Sequence, residues 1–235
     1  MRRHEARLQA VVLRALRRLR RDLFRDVDEA TVHSALARLD DPAVITPFRD
    51  AIVAAIQAVA LAGADFGREQ VERFVYGTVK AVSGKQQSPL SVDWQLANNA
   101  AAQWALEYGY DLVRGITDTT RRRLQTEIQR FVTNGETLPQ LTGRLEDVFG
   151  PVRAEMVAVT EVTRAYAEGN RASWRESGVI EQREWRTAND ELVCPICGPL
   201  AGQIAGLDES FPDGSDGPPA HVRCRCWVVP VVTVD

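Results

Sequence analysis

All four cysteines of the chain and one of its three histidines fall between residues 194 and 226. They read Cys194-Pro195-Ile196-Cys197 and then His221-Val222-Arg223-Cys224-Arg225-Cys226, with 23 residues between Cys197 and His221. Two residues separate Cys194 from Cys197 and His221 from Cys224, a spacing at which one tight turn aims two donors at a common point. Two such turns make a tetrahedral zinc site. This constrains the last part of the chain to a small metal-stapled module rather than a self-sufficient apolar core. Cys194, Cys197, His221, Cys224 and Cys226 are five candidates for four places. His221 with Cys224 is one natural second pair. Cys224 with Cys226 is the other, because residues i and i+2 of a strand point to the same face. A closed set of four ligands leaves no position for water, so structural Zn2+ is the expected cofactor and metal catalysis is not.

Two other uses of the cysteines fit less well. A redox Cys-x-x-Cys sits at a strand-to-helix turn, whereas Gly198-Pro199 directly follows Cys197 and opposes a helix. A disulfide staple needs an oxidising compartment. Residues 1–25 are basic but carry no uninterrupted apolar stretch and no small-residue cleavage site, so they are not a secretory signal. The longest apolar helical stretch, Ala51 to Ala64, has 14 residues against the roughly 20 that a bilayer needs. No span and no membrane partner are expected.

The hydrophobic pattern elsewhere is helical. Leu8, Val12, Leu16, Leu19 and Leu23 step by three and four residues, the stripe of an amphipathic helix. A second helical unit is expected from Glu29 to Leu39. A third starts near Pro47 with Ile52, Ala55, Ile56 and Val59, is weakened by Gly63 and Gly67, and continues through Val71, Phe74, Val75 and Val79. Ser83 to Pro89 is a polar break. Ser91 to Gly115 reads as a helix carrying Trp94, Ala97, Ala101, Trp104 and Leu112. Thr117-Asp118 then caps another, with Leu124, Ile128, Phe131 and Val132, ending at Asn134-Gly135. A short helix spans Thr137 to Phe149, and a long one runs from Pro151 to Ser177 and packs on the C-terminal module through Val159, Val162 and Tyr166. Glu184 to Thr187 and Cys226 to Val234 read as strands, the second an edge strand because Pro230 lies inside it. The expected fold is mainly α: a helical region at 1–82, a central helical region at 91–178, and a small zinc-stabilised α+β module at 179–235.

Charge is distributed unevenly. Residues 1–25 hold nine arginines against Glu5 and Asp22, a local +7, although the whole chain carries −3. Arg14, Arg17, Arg18, Arg21 and Arg25 mostly lie away from the leucine stripe. They are candidates for contact with phosphates or an acidic partner, and Arg121-Arg122-Arg123 could extend the patch. The plainer use of such a run is a solvated face. Chemistry is scarce elsewhere. The His-x-Glu of zinc deaminases and the His-Glu-x-x-His of metalloproteases are absent. His4 and His33 belong on helix surfaces, and Asp190-Glu191 and Asp208-Glu209 read as turn-capping acids.

One ordered series of motifs carries a family resemblance. Thr160-Glu161-Val162-Thr163-Arg164-Ala165-Tyr166 is followed by Glu184-Trp185 and by Asp190 to Cys197. Leu200-Ala201-Gly202-Gln203-Ile204 and Pro218-Pro219-Ala220-His221-Val222-Arg223-Cys224-Arg225-Cys226 complete it. The series, within about residues 117–232, resembles the phage Mu F-like minor head proteins, the head morphogenesis domain of tailed phages. Val222 stands where that family often has proline, a position that donates nothing to metal. The resemblance implies a non-enzymatic assembly protein of the phage head, found in the virion at the capsid interior or portal vertex after passing through the host cytoplasm. It implies the portal protein and other head proteins as partners, with packaged double-stranded DNA as a further one. Some members carry C-terminal effectors, for which no room is expected before Asp235. The rival expectations are a zinc-dependent nuclease or peptidase of phage assembly or entry, and a cellular zinc protein that binds nucleic acid.

Overall fold

The computed structural model describes residues 1–83, 92–187 and 194–231, with the side chains of 76–83 left aside. The polar break after Ser83, the acids Asp190 and Glu191, and the strand residues Val232 and Val234 lie outside the described residues. The chain is mainly helical with one small sheet. In order it forms α1 (Arg2–Leu23), α2 (Ser34–Ala37) with a 3-10 turn (Arg38–Asp40), α3 (Pro42–Ser83) and α4 (Trp94–Asn134). These are followed by α5 (Leu138–Arg144), α6 (Glu146–Phe149) and α7 (Pro151–Ser177), then β1 (Gln182–Arg186), a 3-10 turn (Gly198–Leu200), β2 (Ile204–Gly206) and β3 (Trp227–Val231).

The periodic stripes explain most of these elements. In α1 the residues Leu8, Val12, Ala15, Leu16, Leu19 and Leu23 are buried, as their spacing requires. Between Glu29 and Leu39 the expected helix shrinks to α2 and a 3-10 turn, since 29–33 form turns. α3 begins at Pro42 rather than near Pro47. Asp41 caps it by accepting the Ala43 N–H at 2.8 Å, and proline suits a first helical position because its missing N–H has no partner there. The separate helices expected at 91–115 and 117–134 are a single helix, α4. Asp93 caps it at Gln95 N–H (3.0 Å), and Gly115 to Asp118 run through as ordinary turns. The buried stripe continues across the expected break as Ala105, Val113, Ile116, Thr120, Leu124 and Ile128. The gain from that continuous face exceeds the roughly 1 kcal/mol that a mid-helix glycine costs. Val132 is off the stripe and 57% exposed. Gly135 at φ +59° and Gly178 at φ +66° end α4 and α7 in the left-handed conformation that glycine adopts without strain.

One expectation about membranes is corrected. α3 is long and apolar enough over its 34 residues Pro42–Val75 to cross a bilayer by length and composition. Counting only the Ala51 to Ala64 stretch missed this, because the helix continues past Gly63 and Gly67. Length and composition do not separate a span from a core helix, and Ile52, Ile56, Ala60, Ala64 and Val71 of α3 are buried inside the protein.

The chain divides into two compact units, each built from distant segments. One comprises residues 2–55 and 106–158. Within it Arg153, 4% exposed, donates to the Ile116 carbonyl (3.1 Å), Thr120 Oγ1 (2.9 Å) and the Val148 carbonyl (2.8 Å). Burial pulls this guanidinium down to about 10. Arg144 pairs with Glu127 and with Glu136, tying the turn after α4 to α5.

The other unit comprises Met1, residues 56–105 and residues 159–235. Here α3 and α7 meet through small residues. A Cβ on Gly169 would lie 2.0 Å from the Ala60 carbonyl oxygen, and one on Gly63 would lie 2.4 Å from that of Tyr166. Ser173 Oγ donates to the Ala64 carbonyl at 2.7 Å. Gly63, read from sequence as a weak point of its helix, is what lets the two backbones approach. The sheet has order β2-β1-β3, all antiparallel, with Arg183 opposite Ala205 on one side and Pro230 on the other. β3 is therefore an edge strand, as Pro230 requires. β2 gave no strand signal in the sequence. Its three residues pair along β1 because the 3-10 turn and Gly202 (φ +79°) reverse the chain onto it.

Candidate metal centre

Cys194 opens a tight turn. Its carbonyl accepts the N–H groups of Cys197 (3.1 Å) and Gly198 (2.9 Å), and Cys197 then leads into the Gly198–Leu200 3-10 turn. The second turn is His221 to Cys224, closed by the Cys224 N–H donating to the His221 carbonyl at 3.1 Å. Arg223 takes φ +63° to make it, an unusual conformation for a side chain other than glycine, Asn or Asp. Two threonines one turn apart on α7 fasten this loop. Thr163 Oγ1 donates to the Cys224 carbonyl at 2.8 Å, and the Arg223 N–H donates to Thr160 Oγ1 at 2.9 Å.

The donors converge. Cys194 Sγ lies 3.0 Å and Cys197 Sγ 3.2 Å from His221 Nε2, and Cys197 Sγ lies 3.7 Å from Cys224 Sγ. Four ligands about 2.3 Å from a tetrahedral zinc would have sulfurs about 3.8 Å apart, so the Cys197–Cys224 separation fits an edge of such a site. The His221 ring is set by its other nitrogen. Nδ1–H donates to the Val222 carbonyl at 2.7 Å, which leaves Nε2 as the bare nitrogen facing the sulfurs. Cys226 joins a second triple, Cys197, Cys224 and Cys226, whose donor atoms all lie within 4.8 Å of one another; Cys194, Cys197 and His221 form the first. All five candidates are thus together, and Cys197 belongs to both triples. The donor set fits a soft divalent ion.

Burial and mutual contact shift the cysteines in different directions. The hydrogen bond from Cys226 pulls Cys224 down to about 5, against the opposing effect of burial. The same contact pushes Cys226 far above the ordinary thiol value, and burial adds to it. Burial also pushes Cys197 up to about 12. Cys194 is raised by burial, but the backbone and side-chain hydrogen bonds of Cys197 outweigh that and leave it below the usual value. Two buried thiols in contact resist ionising together, so Cys224 and Cys226 do not both carry charge without a cation beside them.

Packing supports the site from one side. Trp174 and Trp185, both fully buried, share a core with Val71, Leu200, Phe211 and Val228 and with Cys197, Cys224 and Cys226. α7 thus reaches the module through Trp174 and the two threonines. Of the side chains expected to make that contact, Tyr166 has its ring 5.6 Å from that of Phe66 on α3, tilted by 42°. Arg183, 2% exposed, is a further organiser that sequence reading missed. It donates to the carbonyls of Gly206 (3.3 Å) and Glu209 (2.6 Å) and to that of Asp216, and it lies 4.9 Å over the Phe211 ring. The strand read from sequence begins one residue later, at Glu184, and nothing local marks an arginine there as buried. Of the acids near the cysteines, Glu209 serves a turn by accepting the Gly206 N–H at 3.3 Å, whereas Asp208, read from sequence as another turn cap, pairs with Arg175 of α7.

The arginine candidates lie elsewhere. Arg14, Arg17, Arg18, Arg21 and Arg25 are all exposed. Arg18 and Arg25 share Asp22, at 3.5 and 2.5 Å. Arg121 binds Asp40 at 2.6 Å and Arg123 the Asp147 carbonyl at 3.2 Å, so two members of that triplet tie neighbouring segments together. His33 is exposed, as expected, and His4 is half-buried.

Comparison with known proteins gives one family. Residues 122–229 match the family described as Phage Mu protein F like protein. No curated protein and no solved structure matches the chain.

Proposed function

With residues 122–229 a Phage Mu protein F like segment, we propose that the chain is a minor head protein of a tailed phage or prophage-like particle, acting by binding during head assembly. The observation that carries this is a coincidence of extents. The matched segment takes in all of α7, the whole Cys/His cluster, β1, β2 and the first three residues of β3. The portal protein is the principal partner, within the capsid interior or at the portal vertex, and other head proteins lie around it. Packaged duplex DNA is a second partner through α1.

Zn2+ is the proposed ion, held by Cys194, Cys197, His221 and Cys224, with Cys226 as a thiol that donates to Cys224. The linked distances among the first four support this choice. The ion's contribution is cross-linking: it ties the 194 turn to the 221 turn and supplies folding free energy to a segment with few apolar residues.

Co-sedimentation of the purified chain with procapsids tests the reading. Binding is expected to shells that contain a portal and not to shells lacking one. Equal binding to both would remove the portal as partner, and absence of the chain from assembled heads would remove the head role.

A further inference from the structure

α1 carries its charge in one line. At about 100° per residue, Arg3, Arg7, Arg14, Arg17, Arg18 and Arg21 fall within an arc of about 100°, and the only other residue of α1 in that arc is Ala10. All six are exposed. The arc is centred nearly opposite the buried stripe of Leu8, Val12, Ala15, Leu16, Leu19 and Leu23. The two acids of the helix, Glu5 and Asp22, project outside it. Asp22 is shared by Arg18 and Arg25, and among the described residues no ion pair involves Arg3, Arg7, Arg14, Arg17 or Arg21. An ordinary solvated helix face interleaves both signs; this one holds a single sign over about 27 Å, from 18 residue steps of 1.5 Å.

We infer that this arginine line is a docking surface for the phosphate backbone of double-stranded nucleic acid. Three observations choose that occupant. The apolar face of α1 is buried in the protein core, so the helix cannot lie in a lipid interface, which requires that face to enter the acyl region. The line has no apolar residue larger than Ala10, whereas protein interfaces set their arginines among aromatic and aliphatic anchors. A duplex presents one negative charge per about 1.7 Å of axis. A row of exposed arginines along one helix face complements that field over most of a helical turn, about 34 Å. Charge of one sign spread along a helix face is the footprint of phosphate contact, so the recognition inferred is of the backbone rather than of sequence. The surface deepens the head-protein reading, which supplies packaged DNA as the occupant, but its chemistry is its own.

Binding of the full chain to a mixed-sequence duplex of about 30 base pairs, followed by fluorescence anisotropy across salt concentrations, tests this. Five phosphate contacts predict a log–log salt slope of about −4.5, an affinity loss of about 500-fold between about 50 and about 200 mM salt. Replacing Arg3, Arg7, Arg14, Arg17 and Arg21 together with glutamine is expected to flatten that slope toward zero. Arg14→Gln or Arg17→Gln alone should each reduce it by about 1, and the fivefold lysine variant should retain most of the binding. Unchanged DNA binding by the glutamine variants overturns the inference. So does displacement of the duplex by polyglutamate as effectively as by unlabelled duplex, which would make an acidic protein the occupant. The outcome is separable from the head role: the fivefold glutamine variant should still enter heads, whereas failure of the head reading would show as wild-type chain missing from them.

Discussion

Thr163 Oγ1 on α7 donates a 2.8 Å hydrogen bond to the carbonyl of Cys224, 61 residues further along the chain. Thr163 is 1% exposed and Cys224 is 1% exposed, so neither group has water as an alternative partner. One turn earlier Thr160 receives the Arg223 N–H. The pair Thr160 and Thr163 therefore fixes the backbone on both sides of a candidate ligand, in the way that outer groups orient metal ligands.

Thr163→Ala should accordingly cost about 1–3 kcal/mol, the penalty for leaving a buried carbonyl unpaired. Metal affinity should fall by about 10–100-fold while the stoichiometry stays at one ion. Thermal unfolding with competitive chelator titration measures both. Thr163→Ser, which retains the hydroxyl, should restore most of the affinity; if it does not, the hydrogen bond is not the cause.

Removing the metal should loosen the C-terminal module selectively. With a strong chelator present, hydrogen exchange is expected to rise across residues 194–231 while buried amides of α1 stay protected. Cys197→Ser and His221→Ala should abolish stoichiometric binding. Cys226→Ser should keep one ion, since Cys226 is assigned as the donor to Cys224. Loss of the ion in Cys226→Ser with retention in His221→Ala would reverse the ligand assignment.

Much of this was legible in the sequence because spacing encodes it directly. The leucine stripe specified α1, Gly135 and Gly178 marked two helix ends, and the cysteine and histidine spacing gathered five donors that the fold does bring together. What was not legible depends on partners distant in the chain. Gly63 reads as a helix weakness until Tyr166 is placed 2.4 Å from where its Cβ would be. Arg183 lies one residue before the strand read from Glu184, and its burial becomes visible only when three carbonyls from 206 to 216 surround it. Gly115 looked like a helix end because local propensity was weighed without the buried face that runs across it.

Two glycine substitutions with opposite expected signs separate close packing from backbone freedom. Gly169→Ala would put a Cβ 2.0 Å from the Ala60 carbonyl oxygen and 2.7 Å from the Ala64 nitrogen, both backbone atoms of α3. It should destabilise by about 3 kcal/mol or more, since neither helix can yield without moving. Gly115→Ala meets nothing within 4 Å in the middle of α4. There the substitution should stabilise by about 0.5–1 kcal/mol, by reducing the freedom of the unfolded chain and raising helix propensity. Denaturant unfolding of both variants provides the comparison, and a destabilised Gly115→Ala would mean α4 is not continuous at that point.

Glu168 on α7 gives a pH dependence whose sign can be worked out. Burial raises its carboxyl above the ordinary value of 4.5, and although Arg171, Arg183 and Arg175 pull the other way, the result is upward; Asp216 adds to the rise. Arg171 is its ion-pair partner at 3.2 Å. A carboxyl whose folded value exceeds its unfolded value binds its proton more tightly in the folded protein. Its contribution to stability is therefore full below about pH 4.5 and declines as pH rises through the raised value. Glu168→Gln removes the ionisation while keeping the shape. The difference in unfolding free energy between variant and wild type should accordingly move in favour of the variant from pH 4.5 towards 7. Asp208, lowered by its hydrogen bond to Arg175 despite burial, should act oppositely and lose stability only as pH falls below its unfolded value near 3.8. Chemical denaturation of Glu168→Gln from about pH 4.5 to about 7, and of Asp208→Asn as pH falls from about 5 through 3.8, measures both. A difference for Glu168→Gln that stays flat or moves towards wild type as pH rises would show that its charge is fully compensated by the arginines around it.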